Sequence, residues 1–162
     1  MDRLDRNLIE LFAAEPRVGV LEASRRLGVA RGTVQARLDR LQSSGVVSGW
    51  GPQLEPAALD HPVTAFLTLE IRQGPAREGG HDAVGSHLAT IPELLEACTI
   101  TGPGDIWCRV VARSNTDLQR VIDRVLADER ILRCSTVIAL ATQVPHRVLP
   151  LLGTVVDGPV PG

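Results

Sequence analysis

The side chains best suited to chemistry in this sequence are arginines, a threonine and a glutamine that lie between residues 25 and 40. A guanidinium pairs with guanine or with phosphate, and a glutamine amide pairs with adenine. The side chains in position to reach base edges are Arg31, Thr33, Gln35 and Arg37. Those in position to meet phosphate are Arg25, Arg26 and Arg40. This pattern indicates contact with double-stranded DNA. The alternative is an ordinary solvated helix face. A second, separate alternative concerns Arg37 alone, which would then be tied to an acid within the same domain.

A helix-turn-helix is predicted to position these side chains. Gly28 lies where the chain must turn sharply before the second helix of the motif. The apolar stripe of that helix consists of Val34, Leu38 and Leu41. Three helices are predicted, from an N-cap at Asp2 to Pro16, from 20 to 27, and from 31 to about 45. Residues 46–54 resemble two short strands with a tight turn, which predicts a wing.

The second half of the chain alternates strands and helices. The predicted strands are residues 63–71, 93–101, 106–113 and 131–141. A helix over 81–91 and a helix capped by Asn115 or Thr116 complete the order βαββαβ, which is typical of a ferredoxin-like fold. We expect a loop over 73–80 and an added strand or arm over 148–156. The fold class is therefore α+β.

The predicted strands are apolar on both faces, since Phe66 alternates with Leu67 and Trp107 with Ile106. Two helices can cover only one face of a four-stranded sheet. We therefore predict a twofold homodimer in which the second face is covered by another copy of the chain. Such a dimer would also present two helix-turn-helix motifs to a pseudo-palindromic DNA site.

Composition limits the classes of protein to which this chain can belong. The chain has 162 residues, of which 44% are hydrophobic, and no apolar run approaches the roughly 20 residues of a membrane span. No export signal is evident. Net charge is +3 over residues 20–50 and −3 over residues 56–162, which suits a two-part DNA-binding protein. The three cysteines, Cys98, Cys108 and Cys134, lack metal-ligand spacing and favour a reducing, cytoplasmic location.

Enzyme and metal motifs are not evident. The sequence contains no nucleophile elbow and no phosphate-binding loop, and it lacks a paired-carboxylate site. The four histidines form no ligand motif; they are His61, His81, His87 and His146. We therefore predict no catalytic residues, no metal and no cofactor.

The order and spacing of several motifs resemble the Lrp/AsnC family, the feast-or-famine transcription regulators. The resemblance covers residues 1 to about 150. The matching segments of the first half are 1–9, 27–29, 34–41 and 44–50, with Trp50 in place of the family's usual tyrosine. The matching segments of the second half are Ile91–Glu96 and Thr101–Asp105.

The resemblance implies a DNA-binding transcriptional regulator that responds to an amino acid or similar metabolite. It implies a winged helix-turn-helix domain (1–54), a linker (55–62), a ligand-binding and oligomerisation (RAM) domain (63–150) and a C-terminal tail (151–162). The effector site would lie at a glycine-rich turn, with one wall from a neighbouring strand. Its candidate residues are Thr101, Gly102, Pro103, Gly104, Asp105 and Thr136. Dimers of such proteins assemble further, to octamers or other higher forms.

Three departures from the family pattern are notable. Ala30 replaces the serine that usually caps the recognition helix, and Asp60 replaces a common glycine in the linker. Gly104 replaces a bulky residue beside Asp105 and alters a wall of the expected effector site. Two alternatives remain, an enzyme similar to sirohaem decarboxylases on the same scaffold and an architectural DNA-binding protein without an effector.

Overall fold

The computed structural model describes residues 1–72 and 80–155, which fold as two compact units. The helical unit comprises residues 1–52 and the described residues from 144 onwards, and the sheet unit comprises residues 53–143. The chain therefore passes between the units twice. Most of the predicted 73–80 loop and the end of the predicted tail, from 156, lie outside the described residues. Within those described, no helix has the length and apolarity needed to cross a membrane.

Three helices build the helical unit and confirm the predicted helix-turn-helix. They are α1 (Arg3–Ala14), α2 (Val20–Leu27) and α3 (Arg31–Ser43). Helix α1 begins at a capping box, in which the side chains of Asp2 and Asp5 each accept the other's backbone N–H. Leu8, Ala23 and Val34 are fully buried where the helices meet. This core seats α3 against α1 and α2.

The two strands of the predicted wing do not form. Residues 46–54 carry no strand, because the chain reverses at Gly45 (φ 74°) and the Val47 N–H donates to the carbonyl of Leu41. Trp50 then folds back onto the helices. Its indole Nε1 donates to the amide oxygen of Gln42 at 3.2 Å, and its ring meets Phe12 edge-on at 5.3 Å. Side-chain packing against α1 and α3 thus takes the place of strand pairing.

The C-terminal segment also differs from its predicted strand or arm. Leu149–Thr154 forms a short 3₁₀ helix that packs against α1 within the helical unit. Pro150 lies in its first turn, and a proline cannot donate a hydrogen bond to a neighbouring strand. The guanidinium of Arg6 donates to the carbonyl of Val155 and ties this segment to α1.

The sheet unit has the predicted ferredoxin-like order. Its elements are β1 (Val63–Ile71), α4 (Gly80–Leu88), β2 (Leu94–Thr99), β3 (Ile106–Ala112), α5 (Asn115–Val125) and β4 (Ile131–Ile138). The strands lie in the order β2-β3-β1-β4, and every neighbouring pair is antiparallel. A short 3₁₀ helix, Pro56–Leu59, precedes β1.

Element ends differ from prediction where local hydrogen bonds decide them. Helix α5 is capped by Ser114, one residue before the predicted cap, because its hydroxyl accepts the N–H of Asp117 at 3.1 Å. Asp60 ends the 3₁₀ helix with φ 61°, a left-handed conformation that glycine adopts most easily and aspartate tolerates. The family's glycine at that position therefore has a conformational reason.

The two faces of the sheet differ in character. Helices α4 and α5 cover the face that carries Ala65, Leu67 and Leu69, and these side chains form the core of the unit. The opposite face holds a stacked pair, Phe66 and Trp107, with ring centroids 5.3 Å apart. Ion pairs flank the stack, Arg109 with Glu96 and Arg133 with Glu70, each at 3.5 Å. That face is thus apolar at its centre and charged at its margins.

Candidate nucleic-acid interface

The turn between α2 and α3 is fixed by Gly28. Its φ of 66° is left-handed, and its N–H donates back to α2. Ala30 is the N-cap residue of α3, and its side chain makes no capping hydrogen bond. The expected loss of a capping hydrogen bond is therefore real here. Burial of Val34 and Leu41 holds the helix instead.

The opposite side of α3 faces solvent. Arg31, Thr33 and Gln35 are all exposed, as the sequence pattern predicts for groups that reach base edges. Over residues 1–72 and 80–155, Arg31 makes no ion pair, so its guanidinium is not committed to the helical unit. The amide nitrogen of Gln35 donates to Asp39 at 2.8 Å.

Arg37 and Arg40 point from α3 back to the start of α1. The Asp5 carboxylate is fully buried, and Arg40 Nη2 reaches both of its oxygens at 2.7 and 2.8 Å. Arg37 Nη1 lies 3.0 Å from Asp5 and also pairs with Asp2. We call these four residues the α1–α3 clamp. A buried carboxylate is tolerated only with partners such as these, so the clamp fixes α3 on α1.

The two arginines of the clamp differ in how far their side chains are exposed. The side chain of Arg37 is 26% exposed and that of Arg40 is 55% exposed. The hydrogen bond from Arg37 lowers the pKa of Asp2 to about 2, and the same contact raises the pKa of Arg37. The structure thus places Arg37 in the alternative position, tied to acids within its own unit.

This contact makes the helical unit sensitive to acid. Because the pKa of Asp2 falls from 3.8 to about 2 on folding, its charge contributes stability above pH 4, and that stability disappears as the pH drops towards 2. Asp2→Asn retains a good N-cap but removes the charge. We expect the variant to be less stable than the parent at pH 6 and equal to it near pH 2, measured by urea unfolding. A stability difference that does not change with pH would contradict this assignment.

The predicted phosphate contacts on α2 lie among acids. Arg26 Nη1 is 2.5 Å from Glu15, and its Nε is 3.0 Å from Glu22. The hydrogen bond from Glu15 raises the pKa of Arg26. The side chain of Arg25 is 68% exposed, and its Nη1 lies 3.9 Å from Glu22, a longer contact than those of Arg26. Both guanidiniums lie at the surface, and Arg25 is the less tightly held.

Asp5 holds α3 on α1, a role that the sequence pattern alone did not assign. A signal was available. Spacings of three and seven residues put Asp5 on the same helix face as Leu8 and Phe12, where it is buried. A buried acid requires cationic partners, and the arginines of α3 are those in reach.

The candidate effector residues are less uniform. Thr101–Asp105 form one turn between β2 and β3, with Gly102 at φ 121°. The Asp105 carboxylate accepts the backbone N–H of Ile71 at 2.8 Å, so this side chain anchors the turn to β1. Thr136 lies on β4 opposite Leu67, with β1 between it and β3. The structure thus brings together the turn residues but not Thr136.

Gly104 packs closely against β1. A Cβ at this position would lie 2.5 Å from Thr68 Cγ2 and 3.1 Å from the carbonyl oxygen of Leu69. The departure from the family's bulky residue therefore follows from the packing of Thr68. The glycine leaves the expected effector site without the wall that a bulky side chain would supply. Thr68 fills the space that such a side chain would need.

Gly104→Ala is accordingly expected to destabilise the sheet unit by about 1–3 kcal/mol, the usual cost of overpacking. Gly85→Ala is the matched control, because Gly85 lies in α4 with nothing within 4 Å of its added Cβ. We expect that control to be neutral or slightly stabilising. Equal thermal stability of the Gly104→Ala variant and the parent would show that the contact is not rigid.

Cys108 and His87 are packed or hydrogen-bonded within the sheet unit. Cys108 is buried in β3, and burial raises its pKa to about 12, so it is an unreactive thiol. His87 lies with Nε2 within 3.2 Å of the carbonyl oxygens of Arg124 and Val125 at the end of α5. In the described part of the chain, no three His, Cys, Asp or Glu side chains are grouped as a metal site.

Comparison with known families decides the classification. Residues 1–42 match the AsnC-type helix-turn-helix domain, and residues 64–149 match the Lrp/AsnC ligand binding domain. This chain belongs to the Lrp/AsnC family. The predicted family, and with it the class of DNA-binding transcriptional regulators, is confirmed.

Individual members of the Lrp/AsnC family align over nearly the whole chain. The HTH-type transcriptional regulator FL11 of Pyrococcus furiosus is 27% identical over 151 residues, which are 93% of this chain and 97% of FL11. The structure of Escherichia coli AsnC superposes with a TM-score of 0.82, at 24% identity, over 93% of this chain and 99% of AsnC. A Neisseria meningitidis regulator, solved as an L-Met complex, superposes with a TM-score of 0.80, at 19% identity, over 96% and 99% of the two chains.

Proposed function

We propose that this Lrp/AsnC protein binds a specific duplex DNA sequence through the exposed side of α3, and that an amino acid or similar metabolite bound in the sheet unit changes that binding. The main observation behind the proposal is that the polar side chains of α3 fall into two groups with different contacts. Arg37 and Arg40 hold the helix on α1, while Arg31, Thr33 and Gln35 project from it into solvent. A rigid helix with an exposed polar face is what major-groove recognition requires.

Roles within the interface follow from the contacts. Arg31, Thr33 and Gln35 are assigned to base edges, and Arg25 is assigned to phosphate. Arg26 and Arg40 can join the phosphate contacts only with their remaining N–H groups, since acids engage the others. Arg37 is assigned to positioning α3 and not to reading bases. The protein acts where the chromosome is, in the cytoplasm.

A second copy of the chain is the proposed cover of the open sheet face. The Phe66–Trp107 stack at its centre offers apolar area, and the ion pairs at its margins suit an interface rim. Twofold pairing there would place two helical units on one DNA site. Higher assembly, to an octamer for example, is part of the same proposal. Sedimentation equilibrium of the purified protein would give the state directly.

An amino-acid effector is supported by the match to the ligand binding domain and by the L-Met complex of the Neisseria neighbour. The turn Thr101–Asp105 is the proposed site, with Thr136 as a more distant wall. The two covalent connections between the units, at residues 52–53 and 143–144, give a bound ligand two routes to influence the helical unit. A coupling of about 1–3 kcal/mol is sufficient for regulation.

A thermal-shift screen of the twenty amino acids tests the effector proposal. A ligand at a hundredfold excess over its Kd stabilises the folded state by about 2.7 kcal/mol, which raises the melting temperature by several degrees. We expect at least one amino acid to do so and to change DNA affinity in a parallel titration. If none does while specific DNA binding persists, the amino-acid effector is wrong, and the architectural alternative is favoured.

A further inference from the structure

Gln35 and Asp39 lie one turn apart on the exposed side of α3, and their side chains are joined. Nε2 of Gln35 donates to Oδ1 of Asp39 at 2.8 Å, and both residues are exposed. Asp39 is also the one acid in α3. A carboxylate on a helix that approaches DNA repels phosphate, so it weakens binding to every sequence. Its presence in the reading surface therefore calls for a role that offsets this cost.

We propose that Asp39 is a positioning residue that fixes the Gln35 amide for reading adenine. The inference rests on the proposed DNA binding of α3 and deepens it. A glutamine amide has two N–H donors and one carbonyl acceptor. Asp39 takes one donor, which leaves one N–H and Oε1, the pair that matches N7 and the amino group of adenine in the major groove.

The carboxylate also decides which way the amide faces. An unrestrained amide rotates about its last torsion and exchanges the places of oxygen and nitrogen. Asp39 can only accept a hydrogen bond, so it holds the nitrogen of Gln35 on its own side and leaves the oxygen on the other. The base contact is thereby preorganised, and its direction along the base edge is set.

The simpler role for such a pair is support of the helix, and the chain contains a matched case. In α5, Gln119 Nε2 donates to Asp123 Oδ1 at 2.9 Å, with the same residue types at the same spacing. Both pairs give their helices the same small stabilisation. Only the α3 pair lies beside the proposed base-reading groups. Asp123→Ala is therefore the control for any effect of Asp39→Ala.

The test uses a pool of random-sequence duplexes. The full-length parent selects its preferred duplex, and affinities are then measured with each A·T pair of that duplex replaced by G·C. We expect Asp39→Ala to reduce discrimination at one adenine by about two- to tenfold, the effect of one hydrogen bond. Binding to an unrelated duplex should tighten, because a negative charge is lost. Asp39→Asn also loses the charge, so it should tighten binding equally. Its amide can accept from or donate to Gln35, so it should retain only part of the discrimination.

A double variant separates positioning from direct contact. If Asp39 acts through Gln35, adding Asp39→Ala to Gln35→Ala causes no further loss of discrimination at that adenine. A further loss would show that Asp39 contacts a base itself and would overturn the proposal. Unchanged discrimination in the Asp39→Ala single variant would overturn it too, and so would an equal loss in Asp123→Ala. A parent that selects no sequence at all would refute the proposed function and this inference together.

Discussion

Replacing both Arg31 and Gln35 by alanine is expected to reduce affinity for the preferred duplex by about 30-fold or more, because each base contact is worth about 1 kcal/mol or more in discrimination. Both side chains are exposed, and neither belongs to the α1–α3 clamp. The fold should therefore be unaffected, with a melting temperature close to that of the parent. Binding to an unrelated duplex should fall much less, since it depends on charge alone. Fluorescence anisotropy with both duplexes gives the two affinities.

The matched control removes the same two side-chain types from another helix. Gln119 and Arg120 are adjacent, exposed residues of α5 in the sheet unit. We expect the Gln119→Ala/Arg120→Ala variant to bind both duplexes like the parent. If the α3 variant behaves like this control, base reading by α3 is wrong, whatever the DNA affinity of the protein.

Asp5→Ala is expected to destabilise the helical unit by about 3 kcal/mol. The change removes the buried carboxylate that Arg37 and Arg40 share, so Arg40 loses its partner and Arg37 keeps Asp2 alone. Removing one partner of a buried ion pair costs about 3–5 kcal/mol. We take the lower end because Arg40 is 55% exposed and can turn to water. DNA binding should fall with stability, since α3 loses its hold on α1. Trp50 packs on Phe12 in this unit, so its fluorescence reports the unfolding once Trp107 is replaced by phenylalanine.

Asp5→Asn separates charge from shape at the same position. The amide oxygen still accepts from Arg40, but the charge is gone, so we expect an intermediate loss of stability. Asp39→Ala is a control for removal of an exposed acid, with an expected effect within about 0.5 kcal/mol. If Asp5→Ala proves as mild as that control, the clamp does not hold α3, and Arg37 returns to the candidates for base contact.

Much of the fold is predictable because its signals are local. Helix α2 and strand β1 have the predicted bounds, since Gly28 ends the first and strict alternation defines the second. The absence of strands over 46–54 is not predictable, because the residues there are β-like. Trp50 gains more by packing on Phe12 than by pairing in an isolated hairpin, and that contact joins residues 38 positions apart. The sequence does not single out Ser114 as the cap of α5, because the adjacent Asn115 and Thr116 also favour N-cap positions.

In the candidate site too, local features are predictable and contacts between distant residues are not. The exposure of Arg31, Thr33 and Gln35 follows from the helical period once Val34, Leu38 and Leu41 are assigned to the core. The burial of Asp5 and its partners does not, because it depends on how α1 meets α3. The close packing of Gly104 likewise depends on Thr68, which lies on another strand. Sequence periodicity gives faces, and only the tertiary contacts say which charges are already paired.

Whether the exposed face of α3 reads a DNA sequence can be decided by one measurement. It is the ratio of affinities for the selected duplex and for a scrambled duplex of the same composition, at one fixed salt concentration. We expect a ratio of about 10³ or more for the parent, in the range of specific DNA-binding proteins, and a much smaller ratio for Arg31→Ala/Gln35→Ala. Equal affinity of the parent for the two duplexes, or an undiminished ratio in the variant, would contradict it.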